Sequence, residues 1–182
     1  VLSLPLMADC SDLPTETECM AWPEYCVWNS SLNECENINN DNESDNDGEF
    51  EVSLLTESNG IRNSSAYQDG VIYYPNNTDQ ALKSVILTPG WSGDSTAMSD
   101  WASYFASRGF IAMTIGPNDP INDDWQTRAE GLIDAKVTIE EENSRTDSPL
   151  NAKIDVLSMA VAGYSMGGGA DQAAALLDPA LK

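Results

Sequence analysis

The chain has 182 residues, a net charge of −22 at pH 7 and 41% hydrophobic residues. This length and apolar content allow one domain with a core plus an appendage, and they exclude a chain that is disordered throughout. The strong negative charge argues against nucleic acid and anionic membranes as partners, and no apolar stretch is long enough to predict a membrane span.

The first eight residues, Val1 to Ala8, are mostly apolar and end at a small residue before Asp9. This pattern is typical of the end of a signal-peptide apolar region. We therefore predict that residues 1–8 are the remnant of an export signal and that the protein is secreted. The alternative interpretation is a short N-terminal strand.

Four cysteines lie close together in the next segment, at Cys10, Cys19, Cys26 and Cys35. In an exported chain this density predicts that residues 9–35 form a small segment held by two disulfides, with three connectivities open. Metal binding is disfavoured because the closely spaced cysteine pairs of structural zinc sites are absent. The segment is interpreted as a small adhesive module or as a disulfide-bonded cap or spacer.

Residues 36–49 are Asn, Asp, Glu, Ser and Gly with a single apolar residue, Ile38. Such a stretch cannot bury enough surface to offset the entropy lost on ordering. We predict a flexible acidic linker, which makes the cysteine-rich segment separate from residues 50–182.

From residue 50 onward, short apolar runs are separated by turn residues. Gln68-Asp69-Gly70 is interpreted as a turn, and the apolar runs predict strands at 50–56, 71–74, 84–88, 110–115 and 154–162. Helical spacing predicts one helix that Ser95 or Thr96 caps, with Met98, Trp101 and Phe105 on one face and its end at Gly109.

A second helix is predicted over residues 125–142, on the helical spacing of Ala129, Leu132, Ile133, Lys136, Val137 and Glu140. Strand and helix thus alternate from Ser84 onward. This alternation predicts an α/β fold whose mostly parallel sheet is covered on both faces, with the first two strands antiparallel at one edge.

The most informative motif is Gly163-Tyr164-Ser165-Met166-Gly167, between the last predicted strand and an alanine- and leucine-rich helical stretch. It fits G-x-S-x-G, in which a nucleophilic serine occupies a strained turn between a strand and a helix. We predict that Ser165 is a nucleophile beside the positive end of the helix dipole. The alternative is a glycine-rich helix start that packs tightly or binds an anion.

Acyl transfer also needs two hydrogen-bond donors for the developing oxyanion. The backbone N–H of Met166 is predicted to be the first donor. The second should come from a loop after an inner strand, and we predict the N–H of Trp91, in the loop from Thr88 to Gly93. The Trp91 indole would form an apolar wall of the acyl site, unless it is an ordinary core tryptophan.

Three stretches together resemble the polyester hydrolases of the cutinase and PET hydrolase type, within the α/β-hydrolase superfamily. They are Pro89 to Ser92, the helix and strand from Trp101 to Ile115 and, above all, the serine motif with its three glycines. The resemblance runs from about residue 50 to residue 182 and covers only the N-terminal half of that family's domain.

The resemblance implies that Ser165 is the nucleophile and that Trp91 and Met166 supply the oxyanion hole. It also implies that Trp91, Ser92 and Tyr164 contact the substrate, an ester or polyester, in an open cleft. We expect no cofactor and no metal, and we expect a monomer.

The chain contains no histidine, and a serine hydroxyl needs a base to remove its proton. The aspartate and histidine of the family lie beyond the matching stretch, so we expect these 182 residues to be an incomplete and inactive stretch of a serine esterase. Poor substitutes for the base are Lys136, Lys153, Asp94, Asp119, Asp123 and Asp124. The alternatives are a lipase or small-ester hydrolase of the same fold, and a non-catalytic extracellular binding protein.

Overall fold

A computed structural model describes residues 10, 13–21, 23, 26–37, 48–76, 78 and 80–182. The chain divides into two compact units, Val1–Ser44 and Asp45–Lys182. The predicted signal remnant at residues 1–8 lies outside the described residues, and so does most of the predicted linker at residues 36–49. The predicted domain boundaries therefore stay predictions.

The first unit is built on two disulfides. It contains the short helix α1 (Glu16–Cys19) and an antiparallel hairpin of β1 (Cys26–Asn29) and β2 (Glu34–Asn37). Cys10 is bonded to Cys26 and Cys19 to Cys35, with Cα atoms 5.8 and 5.6 Å apart. The predicted disulfide-rich segment is confirmed, and the two bonds interleave along the chain. All four thiols are used, which leaves no thiolate for a metal.

The second unit contains a five-stranded mixed sheet. Its strands are β3 (Val52–Leu55), β4 (Gln68–Pro75), β5 (Leu82–Thr88), β6 (Ile111–Gly116) and β7 (Ile154–Gly163), in the spatial order β3-β4-β6-β5-β7. Strands β6, β5 and β7 are parallel, whereas β3 and β4 are antiparallel at one edge. The predicted α/β-hydrolase fold class is confirmed.

Helices cover both faces of this sheet. Helix α2 (Ser99–Ser107) packs on one face, and α3 (Trp125–Ser144) and α4 (Met166–Leu177) pack on the other. Successive residues of β5 point to opposite faces, so that Ile86 joins the core under α3 and α4 while Val85 and Leu87 join the core under α2. Because β5 is buried on both faces, its carboxyl end is held rigidly.

Two details of the first half of the sheet differ from the sequence prediction. Gln68-Asp69-Gly70 is not a turn but the start of β4, where the register against β6 shifts and Asp69 has a φ of +51°. A bulge of this kind uses the same residue types as a turn. The predicted first helix is a 3₁₀ turn (Ser95–Met98) followed by α2, and Asp94 rather than Ser95 or Thr96 caps it.

The predicted inner faces of the two long helices were wrong in part. Trp101 is 59% exposed, although its ring still contacts Phe105. In α3 the exposed residue Val137 lies outside the buried face, whose members are Arg128, Ala129, Gly131, Leu132, Ala135, Thr138, Ile139 and Glu142. Three residues on that face, Arg128, Thr138 and Glu142, are polar and hydrogen-bonded. Because of them, the apolar pattern alone did not indicate which side of α3 faces the core.

Candidate active site

Ser165 occupies a sharp turn between β7 and α4. Its backbone has φ +53° and ψ −114°, a left-handed conformation that non-glycine residues rarely adopt, and the residue is exposed. Strain of this kind is stored mainly at functional sites.

The two glycines of the motif are required by backbone contacts. A Cβ atom at Gly163 would lie 2.2 Å from the carbonyl carbon of Gly167, and a Cβ atom at Gly167 would lie 2.4 Å from the Thr88 carbonyl oxygen. No side chain fits at either position without a backbone shift. The serine turn and the end of β5 are therefore packed directly against each other.

The loop after β5 passes beside the serine. The Tyr164 N–H donates to the Thr88 carbonyl at 3.3 Å. A Cβ atom built on Gly90 would lie 3.2 Å from the Ser165 Cβ and 3.2 Å from the Tyr164 carbonyl oxygen. The structure thus brings together the loop that contains Trp91 and the turn that contains Ser165.

Two backbone donors are available next to this serine. Met166 is the first residue of α4, and the first N–H groups of a helix have no partner within the helix. In the described part of the chain, the loop and turn hydrogen bonds include none donated by the Trp91 or Met166 N–H. An oxyanion is stabilised by two backbone amides that converge on it, and the roles of Trp91 and Met166 as these donors stay predictions.

The three residues predicted to contact the substrate lie in the serine turn and in the loop packed against it. Trp91 is 59% exposed and Tyr164 is 70% exposed, so Trp91 is not a core tryptophan. The Trp91 indole Nε1 donates to the Ile121 carbonyl at 3.2 Å. Ser92, with a φ of +61°, donates its N–H to the Pro120 carbonyl at 2.8 Å. Trp91, Ser92 and Tyr164 are thus exposed to solvent, and their roles as substrate contacts stay predictions.

A buried arginine that the sequence analysis missed supports this loop. Arg128 is 3% exposed, and its guanidinium donates to the carbonyls of Pro89 and Gly90, both at 3.2 Å. Burial lowers the pKa of the Arg128 guanidinium. Its burial could have been inferred from its position in the sequence, because Arg128 shares a helical face with the apolar Leu132 and Ala135.

The loop acids near this edge of the sheet have structural roles. Asp94 accepts the Thr96 N–H, and Asp124 caps α3 through the Thr127 N–H, each at 2.9 Å. Hydrogen bonds from Thr96 lower the pKa of Asp94, and those from Thr127 lower the pKa of Asp124. A carboxylate whose pKa is lowered by local donors accepts a proton less readily. Asp94 and Asp124 are therefore weak candidates for the base that would activate Ser165.

Two further loop acids and one lysine are occupied in the same way. Asp119 accepts hydrogen bonds from Asn122, which lower its pKa, and Asp123 accepts the Asp119 N–H. Lys136 donates to Asp178 at 2.7 Å, and this hydrogen bond raises its pKa. Asp178 follows the last residue of α4, about 20 Å along the helix from Ser165, so Lys136 cannot reach the serine.

Comparison with known proteins identifies a family that matches most of the chain. Residues 43–182 match the sequence profile of the PET hydrolase-like family. In the described part of the chain, none of the helices combines the length and apolarity that crossing a bilayer requires.

Several curated proteins are similar to this chain. Cutinase 1 of Thermobifida cellulosilytica is 35% identical over 138 residues, which are 74% of this chain and 49% of that protein. Lipase 1 of Moraxella sp. (strain TA144) is 29% identical over 64% of this chain and 35% of its own length. The bis(hydroxyethyl) terephthalate hydrolase of Streptomyces coelicolor (strain ATCC BAA-471 / A3(2) / M145) is 29% identical over 65% of this chain and 36% of its own length.

The chain spans less than half the length of each of these three relatives. The matched residues include β3 to β7 and the whole of the serine turn. The chain therefore belongs to the PET hydrolase-like family.

Proposed function

We propose that the protein is a secreted serine carboxylic-ester hydrolase that acts on polyesters such as cutin or PET-like polymers. The observation that carries the proposal is the strained turn of Ser165, packed against the loop that presents the Trp91 N–H. A hydroxyl raised at a helix N-terminus, with backbone amides of the helix and of the adjacent loop as oxyanion donors, suits attack on an ester carbonyl.

The reaction takes place in two steps. The Ser165 hydroxyl loses its proton to a base while its oxygen attacks the ester carbonyl, and the Trp91 and Met166 amides stabilise the oxyanion that forms. The alcohol leaves with a proton, and the acyl group remains on Ser165. Water then attacks this acyl-enzyme and releases the acid, which restores the serine.

The base is not a histidine of these 182 residues, because they contain none. In a triad the base must lie within hydrogen-bond reach of the serine oxygen. The proposed activity is therefore assayed with the protein isolated from its natural source.

The exposed site favours a polymeric or bulky ester. Trp91 and Tyr164 offer flat apolar surfaces that are open to solvent, and aromatic faces can contact aromatic or long acyl groups. The relatives named as cutinases and as a terephthalate ester hydrolase support this substrate class. The similarity to Lipase 1 supports the alternative, a lipase or small-ester hydrolase with the same nucleophile.

Substitution of the serine tests the proposal. Ser165→Ala is expected to lower kcat on a short-chain nitrophenyl ester by roughly 10³-fold or more, because the nucleophile is lost. Ser58→Ala, at an exposed serine of the unit's first 3₁₀ turn, is the matched control and should retain full activity. Mass spectrometry should find the acyl group on the peptide that contains Ser165.

The outcome also separates the alternatives. Retained hydrolysis in Ser165→Ala would refute the mechanism, and a wild-type protein that hydrolyses no ester would favour a non-catalytic binding protein. Release of soluble product from polyester film, compared with soluble esters of increasing chain length, distinguishes a polyester hydrolase from a lipase. We further propose that the protein works as a monomer and binds no nucleic acid.

A further inference from the structure

The side chain of Arg128 connects two loops. One is the loop from Thr88 to Gly93, called here the oxyanion loop, and the other is the loop at residues 117–124, which precedes α3. Besides the carbonyls of Pro89 and Gly90, it donates to the Pro120 carbonyl at 3.0 Å and to the Asp123 carbonyl at 3.1 Å. One guanidinium therefore holds four backbone carbonyls of two different loops. Its planar fork of five N–H donors suits this task, whereas the ammonium of lysine has three.

The contact with Gly90 has a geometric consequence at Trp91. Peptide units are planar and, among the described residues, none is cis. In a trans peptide the C=O and the N–H of the following residue point in opposite directions. The Gly90 carbonyl accepts the Arg128 guanidinium and also the Gly93 N–H, both at 3.2 Å, so the Trp91 N–H points away from these two donors.

A second set of bonds fixes the same loop. The Pro120 carbonyl accepts both the Arg128 guanidinium and the Ser92 N–H, and the Trp91 indole is bonded to Ile121. Trp91 and Ser92 are thus both attached to one neighbouring loop. Arg128 is a side chain that hydrogen-bonds to both loops, at Pro89 and Gly90 in one and at Pro120 and Asp123 in the other.

Arg128 is an unusual residue for a purely structural position. Among the described residues, ion pairs are formed by Arg62, Lys136 and Arg145, whereas Arg128 binds carbonyl dipoles instead of a carboxylate. Burial of the Arg128 charge is expensive, and the nearby Asp123 carboxylate offsets only part of the effect of burial on its pKa. An apolar residue could fill the same helix face at lower cost. A buried arginine at this position is explained if the carbonyls of Pro89 and Gly90 must be held in one orientation.

We propose that Arg128 is a positioning residue for the oxyanion hole, which keeps the Trp91 N–H aimed at the reacting carbonyl by holding the Gly90 carbonyl on the opposite side. This inference rests on the proposed ester hydrolysis at Ser165. A donor that is already oriented needs no reorganisation when the oxyanion forms, which is the condition for effective electrostatic stabilisation. Both tetrahedral steps of the reaction use the same donor.

The kinetic test compares Arg128→Lys and Arg128→Gln with a matched control, Arg62→Lys, in the protein as its source produces it. Arg62 also hydrogen-bonds to α3, through the Asp134 carbonyl at 2.7 Å and Thr138. Among the described residues, its hydrogen bonds and ion pairs go to α3 and not to the oxyanion loop. The Arg128 variants should lose roughly 10- to 100-fold in kcat on a nitrophenyl ester, because small misplacements cost up to about 100-fold. KM should change less than about twofold. Arg62→Lys should stay within about twofold of wild type in both parameters.

An inhibitor distinguishes positioning from general damage. Phenylboronic acid forms a tetrahedral adduct with a reactive serine, so its Ki should rise in the Arg128 variants by the same factor as kcat falls. Arg128 variants that fold with kcat and Ki within twofold of wild type would overturn the proposal.

Nuclear magnetic resonance tests the same contact without catalysis. In the wild-type protein the Arg128 guanidinium protons should exchange slowly with solvent, and the Trp91 amide resonance should move in the Arg128 variants while remaining unchanged in Arg62→Lys. Fast exchange of the guanidinium protons in wild type would overturn the proposal even if no variant folds. If wild type hydrolyses no ester, the proposed function fails, and these spectra alone decide whether Arg128 orients Trp91.

Discussion

Alanine at position 167 would press a methyl group into the backbone of the loop that presents Trp91. Its Cβ would lie 2.4 Å from the Thr88 carbonyl oxygen and 2.7 Å from the Pro89 carbonyl oxygen. Ordinary contact at a Cβ begins near 3.4 Å, so α4 and this loop would have to separate by about 1 Å. Neither atom belongs to a flexible side chain that could move aside.

The magnitude follows from the balance of two effects. Overpacking against a rigid backbone costs about 1–3 kcal/mol, while alanine in a helix gains less than about 1 kcal/mol over glycine near the first turn. A net loss of about 1–2 kcal/mol remains, which corresponds to a fall in Tm of roughly 4–8 °C for a domain of this size. The displaced loop should also lower kcat in the ester assay.

Gly169→Ala is the matched control in thermal melts followed by circular dichroism. A Cβ atom at Gly169 would lie 3.6 Å from the Trp125 Cβ, an ordinary contact, so its Tm should be unchanged or slightly higher. The reasoning is refuted if Gly167→Ala melts at or above the wild-type temperature. Equal destabilisation by the two substitutions would also contradict it, because the contact distances would then have no predictive value.

Two carboxyl groups give opposite pH dependences of stability. Burial raises the pKa of Asp171, so its charge opposes folding at neutral pH; Asp171→Asn should raise Tm at pH 7, and the gain should vanish below the ordinary pKa near 4. Thermal melts between pH 3 and 8 check this, and a gain that persists at pH 3 would contradict it. The hydrogen bond from Lys136 lowers the pKa of Asp178, whose charged form therefore stabilises the fold above its ordinary pKa. Asp178→Asn should lower Tm by roughly 2–4 °C at pH 7 and by less as the pH falls through the lowered pKa, and a pH-independent loss would count against this pair.

The order of strands and helices was predictable because β5, β6 and β7 each contain an apolar run bounded by turn residues. The serine turn was predictable for a different reason, since Gly163 and Gly167 are fixed by backbone contacts that no other residue can make. Local sequence therefore determined both features.

Features that depend on contacts between distant parts of the chain were not predictable. The disulfide connectivity depends on how the β1–β2 hairpin folds against Cys10 and Cys19. The role of Arg128 depends on carbonyls almost 40 positions away, and a charged residue in a helix is by default assigned to the solvent side. Asp69 was misassigned because bulges and turns use the same residues.

The backbone conformation of Ser165 also bears on how such a chain changes over evolution. A non-glycine residue in this conformation costs about 1–3 kcal/mol, whereas glycine adopts it without steric penalty. A chain selected only to fold would gain stability from glycine at position 165, and most drifting sequences lie close to their stability threshold. Under the proposed mechanism, the serine at this position is kept for its reactive hydroxyl at the expense of stability, a trade-off that an inert copy of the fold would have no reason to maintain.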